Sequence, residues 1–422
     1  MQKLLFLTPE LPWPANSGKR IKSWNLIKHL GKLYELHVAS LLNAQNSHDI
    51  NHFSRVAPVR KIKVAKVDTS RPLKNIANSL IKNQPLNVIR SESASLTQWV
   101  KDHAAEYDLI FVDHYEMMQY IPTTTPAKVV LHQHNAYYQL WKSHAKNENS
   151  LSKRLLAKTE AFRVSRYEKA VCNRADLVLA APNDIEKLKE IGVNSGNLAR
   201  TLHLAESIHL HQPDIRWTGT SKQVLYAGHL TWEPNVQGLL WYLKEVWPKI
   251  LESAPDAVLQ IIGGNPDQRL INAARKSRQV SFAGNQEDLE PFFKASRVFA
   301  APLGVGSGSK MKVLTGMSRG LPTVTTPVGV EGLELGKRKA VVVTNSPVEM
   351  AHETVTLLTD KTYWREIRRA SRNLVKSRYT WEVIFAEMQS ELDRVLRGPG
   401  VYSRNLHGVD LVPALTQQGA LS

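Results

Sequence analysis

The most specific stretch of this sequence ends an apolar segment and opens a helical one, and it reads Ala301-Pro302-Leu303-Gly304-Val305-Gly306-Ser307-Gly308-Ser309-Lys310-Met311-Lys312-Val313-Leu314. Its glycines let the backbone come close to a ligand, and a helix N-terminus offers unpaired N–H groups with a partial positive charge. Lys310 and Lys312 add full charges just inside the helix. The stretch therefore predicts a diphosphate site, with a plain helix cap as the alternative.

On both sides of this stretch, short apolar segments alternate with segments of helical periodicity. Strands are predicted at Lys3–Thr8, Glu35–Leu42, Lys61–Asp68, Asp108–His114, Lys128–His134 and Asp176–Ala181, and again at Gln223–Leu230, Ala257–Gly263, Gln279–Ala283, Arg297–Leu303, Thr323–Val328 and Ala340–Thr344. Continuous apolar strands that alternate with helices indicate parallel sheets covered on both faces. We therefore predict an α/β protein with two doubly wound domains and a cleft between them.

The pattern lapses in a polar stretch over residues 207–222, which we interpret as a linker. This divides the chain into an N-terminal domain at 1–206 and a C-terminal domain at 223–378. A last helix at 379–397 is expected to return to the N-terminal domain. Residues 398–422 lack a pattern and are expected to form a flexible tail.

The chain is strongly basic, with a formal net charge of +17 over 422 residues. Residues 1–210 hold 29 Lys/Arg and 18 Asp/Glu, and residues 51–90 hold nine basic residues against Asp68 alone. Such a surface attracts polyanions, although a solvated basic face is the alternative. No nucleic-acid-binding signature accompanies the charge, so nucleic acid is not an expected partner.

Within the basic region, apolar residues recur at helical spacing between Lys74 and Lys82: Leu73, Ile76, Leu80 and Ile81. The pattern suits a helix lying on an anionic membrane leaflet, and equally an ordinary helix packed on its own sheet. No apolar run is long enough to span a bilayer, and no export signal is recognised. We expect a cytoplasmic protein, with peripheral attachment to the inner membrane as a further hypothesis. Its single cysteine, Cys172, excludes an intramolecular disulfide.

The motifs resemble those of family 4 glycosyltransferases (group 1), which have the GT-B fold. The likeness rests on residues 301–314, on GLPTVTTPVGVEGL at 320–333 and on YAGHLTWEPNV at 226–236. IIGGNP at 261–266 and the first loop, with TPELPWP at 8–14 and SGKR at 17–20, agree with it. The resemblance covers most of residues 1–396 and is more specific in the C-terminal domain.

The resemblance implies transfer of a sugar from a nucleotide-sugar donor to a glycan or polyprenyl-linked acceptor in surface polysaccharide biosynthesis. It implies retention of configuration. It assigns donor binding to Gly18, Gly228, Ser307, Gly308, Ser309, Lys310, Lys312 and Thr315, and a role near the transferred sugar to His134. No cofactor is expected beyond the donor. The chain contains no Asp-x-Asp motif, which favours a mechanism without a metal ion.

His132 and His134 lie two residues apart on a predicted strand and therefore on the same face. Two such histidines are also compatible with a metal site. No carboxylate or third ligand is recognised at a useful spacing, so no metal is expected.

The sequence departs from the family where the common pattern has two glutamates eight positions apart. Ser307 and Thr315 occupy those positions, and His229 stands where many relatives have arginine. Two interpretations follow: an active enzyme that holds its donor differently, or an inactive homologue that scaffolds a glycan-assembly complex. A sugar-nucleotide epimerase with the same fold is a third.

Overall fold

The structure is a computed structural model that describes residues 1–15, 18–42, 50–67, 72–148, 150–201, 212–304 and 311–398. Its N-terminal half is built on a seven-stranded sheet. The strands are β1 Lys3–Thr8, β2 Glu35–Leu42, β3 Lys61–Lys66, β4 Leu109–Asp113, β5 Lys128–Gln133, β6 Leu177–Ala180 and β7 Leu198–Arg200. They pair in parallel in the order β3-β2-β1-β4-β5-β6-β7. The short strand β7 is not among the predicted strands.

Helices connect these strands and cover both faces of the sheet. They are α1 Gly18–Leu33, α2 Ile50–Val56, α3 Pro72–Lys82, α4 Leu86–Arg90, α5 Ala94–His103, α6 Tyr137–Asn147, α7 Leu151–Arg174 and α8 Pro182–Glu190. Every residue of β4 and β6 is buried, as is nearly all of β1 and β5. This burial confirms the prediction that the apolar strands form a sheet covered on both faces.

The C-terminal half repeats the plan with a six-stranded sheet. The strands are β8 Gln223–Ala227, β9 Val258–Ile262, β10 Val280–Phe282, β11 Val298–Ala301, β12 Thr323–Thr325 and β13 Val342–Val343, in the parallel order β10-β9-β8-β11-β12-β13. Its helices are α9 Glu233–Trp241, α10 Trp247–Ser253, α11 Gln268–Lys276, α12 Glu290–Ala295, α13 Met311–Arg319, α14 Pro327–Val330, α15 Pro347–Thr359 and α16 Lys361–Arg378. A π-helical turn at Tyr242–Val246 joins α9 to α10.

The last helix, α17 Trp381–Arg397, packs its apolar stripe on the N-terminal sheet. Phe385, Met388, Leu392 and Val395 belong to the same buried cluster as Leu4 of β1. Their spacing is that of one face of an α-helix. The chain therefore crosses back to its first domain after completing the second.

The segment predicted as the linker contributes to the packing of the C-terminal domain. Residues 207–211 lie outside the described residues, but Ile215 is buried in a C-terminal cluster. The centroid of the Trp217 ring lies 5.7 Å from that of Trp364, and the Arg297 guanidinium stacks 3.8 Å from the Trp217 ring centroid. The packing of this domain thus begins before β8. The predicted tail at 399–422 lies outside the described residues.

The two halves also meet through Glu334, on the loop after α14. Its carboxylate pairs with Arg200 at the end of β7 and, at 2.6 Å, with Arg378 at the end of α16. Nearby, Gly332 has a φ of +77°, and a Cβ at this position would lie 2.9 Å from the Asn183 side chain of α8. Glycine is needed here because of both the backbone conformation and the close approach.

Candidate active site

In each sheet, the strand order reverses direction between two neighbouring strands. This point lies between β1 and β4 in the N-terminal sheet, and between β8 and β11 in the C-terminal sheet. Ligands of doubly wound folds bind at the carboxyl ends of strands beside such a point. We therefore built the candidate site from the side chains at these strand ends.

Asp113, the last residue of β4, is the centre of the N-terminal part of the site. Its side chain is fully buried, and both carboxylate oxygens accept hydrogen bonds. Oδ2 accepts from the hydroxyls of Ser23 at 2.6 Å and Thr8 at 3.2 Å. Oδ1 lies 3.0 Å from Nδ1 of His132 and 2.6 Å from Nε2 of His134. Four contacts from α1, β1 and β5 therefore hold one carboxylate.

These contacts keep Asp113 ionised in a buried position. Burial alone would raise the pKa of Asp113, but electrostatic interaction with His134 and His114 and hydrogen bonds from His132 and His134 outweigh it. They hold the pKa well below its usual range. A buried charge with this many donors is compensated where an isolated one would be very costly.

His134 follows the last residue of β5 and is buried at the strand end, where the sequence predicted it. Burial lowers the pKa of His134 to about 3, so the imidazole is neutral at pH 7. A neutral imidazole that faces an ionised carboxylate through Nε2 carries its proton on that nitrogen. Asp113 therefore determines the tautomer and the orientation of His134.

The expectation that no carboxylate accompanies the two histidines is wrong. Asp113 lies about twenty positions earlier in the chain, yet the parallel register pairs it directly with His132. Spacing within one strand cannot reveal a partner on the neighbouring strand. The ligand atoms of Asp113, His132 and His134 all lie within 4.8 Å of one another, which is also the composition of a metal site. The hydrogen bonds account for both carboxylate oxygens without an ion.

His114 is a further member of the cluster that the sequence did not single out. It follows Asp113 with a φ of +85°, an uncommon conformation for a residue with a side chain. Its ring stacks on that of His134, with centroids 3.8 Å apart and planes inclined by 7°. Strained backbone is concentrated at functional sites, so we include His114 in the candidate site.

The hydrogen bonds of His114 leave one ring nitrogen without a partner. Nδ1 lies 3.0 Å from the hydroxyl of Tyr137, which stays protonated because burial raises its pKa well above its usual range. Burial also lowers the pKa of His114 well below its usual value, so the ring is neutral and carries one proton. Among the described residues, buried Nε2 has no hydrogen-bond partner. A substrate hydroxyl can donate to Nε2 or accept from it, according to which ring nitrogen carries the proton.

In the C-terminal part of the site, Lys312 lies on the first turn of α13 and points to the end of β8. Its Nζ donates to the Tyr226 hydroxyl at 2.7 Å and to Asn235 Oδ1 at 3.0 Å, and it lies 4.1 Å above the Tyr226 ring. Burial lowers the pKa of Lys312 to about 7. All three contacts are with neutral groups, so none of them compensates the positive charge of the protonated amine. A bound anion would supply the compensating negative charge.

The other predicted donor-binding residues fall into two groups. Ser307, Gly308, Ser309 and Lys310 lie outside the described residues. Gly228 lies directly after β8, where a Cβ would come within 2.6 Å of Lys312 Nζ. Thr315 lies three residues after Lys312 on α13 and therefore on a neighbouring part of the helix surface. The structure thus brings Gly228 and Lys312 together at the end of β8, with Thr315 about one turn further along α13.

Gly18, predicted from the first loop, is the first residue of α1. The two cations that follow it share one anion. The Lys19 amine lies 3.2 Å from Glu10, and the Arg20 guanidinium lies 2.9 Å from the same carboxylate. This turn therefore keeps a net positive charge next to the point between β1 and β4 where the strand order reverses.

The described residues contain no helix long and apolar enough to cross a membrane.

Comparison with known proteins confirms the resemblance and the fold. Residues 221–360 match the family model of glycosyl transferases group 1. An uncharacterized 44.6 kDa protein in the cps region of Klebsiella pneumoniae is 22% identical over 405 residues, which is 93% of this chain and 100% of that protein.

Among solved structures, HepE (Alr3699) of Anabaena in complex with UDP is similar with a TM-score of 0.61 at 14% identity, covering 93% of this chain and 99% of that chain. A point mutant of S. aureus TarM in complex with Fondaparinux, alpha-GlcNAc-glycerol and UDP has a TM-score of 0.60 at 10% identity, covering 94% and 100%. These likenesses show the GT-B fold, with two facing Rossmann-like domains.

We expect that His134→Ala lowers the transfer rate by about 10²-fold or more and leaves the fold intact, because the resemblance implies that the imidazole lies near the transferred sugar. Asp113→Asn should lower the rate by a similar factor, because the amide no longer selects the tautomer of His134. It should also change the pH–rate profile. Ser23→Ala is the matched control, since it removes one hydrogen bond from the opposite carboxylate oxygen. Equal rate losses in Ser23→Ala and Asp113→Asn, or an unchanged rate with a lower melting temperature in His134→Ala, would contradict this role.

The second expectation concerns pH and Lys312. A bound diphosphate stabilises the charged amine of Lys312. The affinity of the protein for a nucleoside diphosphate should therefore be highest below pH 7 and fall as the pH rises through 7. The decrease between pH 6 and 8 should exceed that of Lys312→Met by up to about tenfold. Calorimetric titration of both proteins with a nucleoside diphosphate measures it, and the variant corrects for titration of the phosphate itself. Parallel pH profiles for the two proteins would exclude Lys312 as the anion ligand.

Proposed function

We propose that this chain transfers a sugar from a nucleotide-sugar donor to a glycan or lipid-linked acceptor, because residues 221–360 match the family model of glycosyl transferases group 1. The observation that carries the proposal is Lys312, a half-buried lysine with a lowered pKa and neutral partners, on the first turn of a helix inside the matched segment. Such an amine suits a group on which negative charge develops.

In this proposal the leaving nucleoside diphosphate lies at the start of α13. Negative charge grows on its β-phosphate as the bond to the sugar breaks, and preorganised positive charge lowers the barrier. Lys312 provides that charge, and the N-terminus of α13 adds its dipole. Lys310 and the Ser307–Ser309 turn remain predicted ligands of the same group. The mechanism assigns no step to a metal ion and retains the configuration of the sugar.

The histidine cluster would act on the sugar from the other domain. His134 and His114 are neutral, stacked and held by Asp113 and Tyr137, so their positions are fixed before the sugar arrives. A neutral imidazole can hydrogen-bond a sugar hydroxyl, and the ionised Asp113 behind it favours the positive charge that develops at the anomeric carbon. Fixed donors of this kind need no reorganisation during the reaction.

The comparisons suggest which substrates to test first. HepE and the TarM mutant were crystallised with UDP, so UDP-sugars are the first donors to examine. The K. pneumoniae relative is described by its place in a cps region, which supports a role in surface polysaccharide biosynthesis. We propose a growing glycan, free or polyprenyl-linked, as the acceptor.

A second candidate function is that of an inactive scaffold in a glycan-assembly complex. It is favoured by Thr315 and Ser307, which replace both glutamates of the family pattern. A carboxylate that accepts from ribose hydroxyls can contribute about 1.5–3 kcal/mol, and the Thr315 hydroxyl can make one weaker bond.

Release of a nucleoside diphosphate from a panel of nucleotide sugars separates the two functions. We expect one or a few donors, UDP-sugars among them, to be consumed with an acceptor present, and the rate to persist in a chelator. His134→Ala is the control for contaminating activity. If no donor is consumed although nucleoside diphosphate binds at Lys312, the scaffold is the better description.

Thr315→Glu tests how the donor is held, with Thr315→Gln as the control for side-chain size. If this site holds the ribose in its own way, the glutamate should leave nucleotide affinity unchanged or weaken it, because it adds a negative charge one turn from Lys312. Tighter binding in Thr315→Glu than in Thr315→Gln, measured by calorimetry, would instead indicate a family site that has lost its ribose ligand.

A further inference from the structure

A cavity of about 670 Å³ lies against α6 and α7, and cationic side chains dominate its lining. Lys142 and Lys146 of α6 face it together with Arg154 and Lys158 of α7, while Phe162 contributes an apolar wall. None of its lining side chains is a carboxylate. Four positive charges at one cavity repel one another, so a bound anion would stabilise the arrangement.

The hairpin formed by α6 and α7 has an excess of basic residues, and two of its three acidic residues are buried. Residues 137–174 contain nine Lys/Arg and three Glu. Glu160 is buried and accepts from the backbone N–H of Leu86, and Glu168 is buried and accepts from those of Tyr137 and Tyr138. The third, Glu148, contributes its main-chain carbonyl, which accepts two bonds from the Arg154 guanidinium at 2.8 and 3.0 Å. That contact fixes the guanidinium without cancelling its charge.

A stripe of exposed apolar side chains runs along α7 beside the cavity. Leu151, Leu155 and Phe162 are 78%, 67% and 61% exposed. Their spacing of four and then seven residues places them on one face of the helix, with Lys158 on the same face. Leu140 of α6 is also exposed. Large apolar side chains on a contiguous surface indicate a binding partner, because their exposure to water is unfavourable.

We propose that this hairpin surface, formed by α6 and α7, docks on an anionic lipid bilayer, with a phosphorylated headgroup in the cationic cavity. Leu151, Leu155 and Phe162 then enter the boundary between headgroups and acyl chains, and the lysines remain at headgroup level. This is the arrangement of interfacial helices with apolar and basic faces. A nucleic acid would use the charges but not the two exposed leucines, so the apolar stripe favours lipid.

The position of the surface fits the proposed function, on which the choice of a lipid-linked acceptor rests. Helix α6 starts at Tyr137, whose hydroxyl contacts His114. Lys142 and Lys146 follow five and nine residues later, which is roughly 8 and 14 Å along the helix axis. Helix α6 would therefore connect a lipid phosphate in the cavity with the histidine cluster. Docking itself does not depend on catalysis.

The helix predicted within residues 51–90, which suits a membrane surface and ordinary packing on a sheet equally, lies beside this surface. Leu80 and Ile81 of α3 are exposed, while Lys82 pairs with Glu92 at 2.8 Å, and the side chain of Leu73 lies outside the described residues. Arg163 of α7 donates to Asn83 and Ser79, which brings the end of α3 against α7. The predicted helix thus adds two apolar side chains next to the hairpin surface.

Vesicle flotation of the full-length protein tests the proposal. The wild-type protein should bind vesicles that contain phosphatidylglycerol and dissociate from them at high salt. It should not bind vesicles of pure phosphatidylcholine. The triple variant Lys142→Glu, Lys146→Glu, Lys158→Glu should lose at least about tenfold in vesicle affinity. The matched control is Lys101→Glu, Lys337→Glu, Arg338→Glu, which reverses three exposed charges elsewhere and should retain most of the binding. Leu155→Ser with Phe162→Ser should weaken binding while its salt dependence remains.

Three results would overturn the proposal: no binding to anionic vesicles at low salt, equal losses in the triple variant and its control, or capture of an oligonucleotide or soluble glycerol phosphate through the cavity without vesicle binding. Nucleoside diphosphate release with a soluble acceptor should be the same in the triple variant and wild type, which also shows that the variant is folded. If the triple variant loses vesicle binding but releases nucleoside diphosphate at the normal rate, the docking proposal is supported. If the wild-type protein binds vesicles but releases no nucleoside diphosphate, only the proposed function is contradicted.

Discussion

The N-terminal half of the site depends on one buried negative charge. Asp113 ends β4 at the point where the strand order reverses, and it accepts hydrogen bonds from β1, α1 and β5. A buried carboxylate is stable only where enough donors surround it, so these elements cannot shift independently of one another. The orientation of His134, and through ring stacking that of His114, follows from this constraint.

The C-terminal half of the site contains a cation, Lys312, where the N-terminal half contains an anion, Asp113. Lys312 is half-buried beside the neutral groups of Tyr226 and Asn235, and burial lowers its pKa to about 7. An ionised carboxylate with neutral imidazoles in one domain thus faces a poorly compensated amine in the other. The charge of Asp113 is compensated without a ligand, although Nε2 of His114 has no partner among the described residues, whereas the charge of Lys312 would be compensated by a bound anion. This difference is the reason for proposing that the first domain binds the sugar and the second binds the diphosphate.

Excess positive charge extends beyond the cleft to the hairpin of α6 and α7. There the cations surround a cavity next to exposed leucines, and the same helix α6 begins at the histidine cluster. One short helix therefore links the surface proposed to hold a lipid phosphate with the groups proposed to hold the transferred sugar. In the two proposals, part of the net charge of +17 serves association with anions at two places of different chemistry.

The sequence by itself determined the alternation of apolar strands and helices, and with it both doubly wound sheets, because burial on two faces leaves a continuous apolar run that can be read locally. It also placed His134 and Lys312 at element ends. Only the tertiary structure decided that Asp113 accompanies the histidines, that His114 adopts a positive φ, and that exposed Leu151 lies beside a cationic cavity. Strand register and packing between helices join residues distant along the chain, and no local pattern records which of them meet.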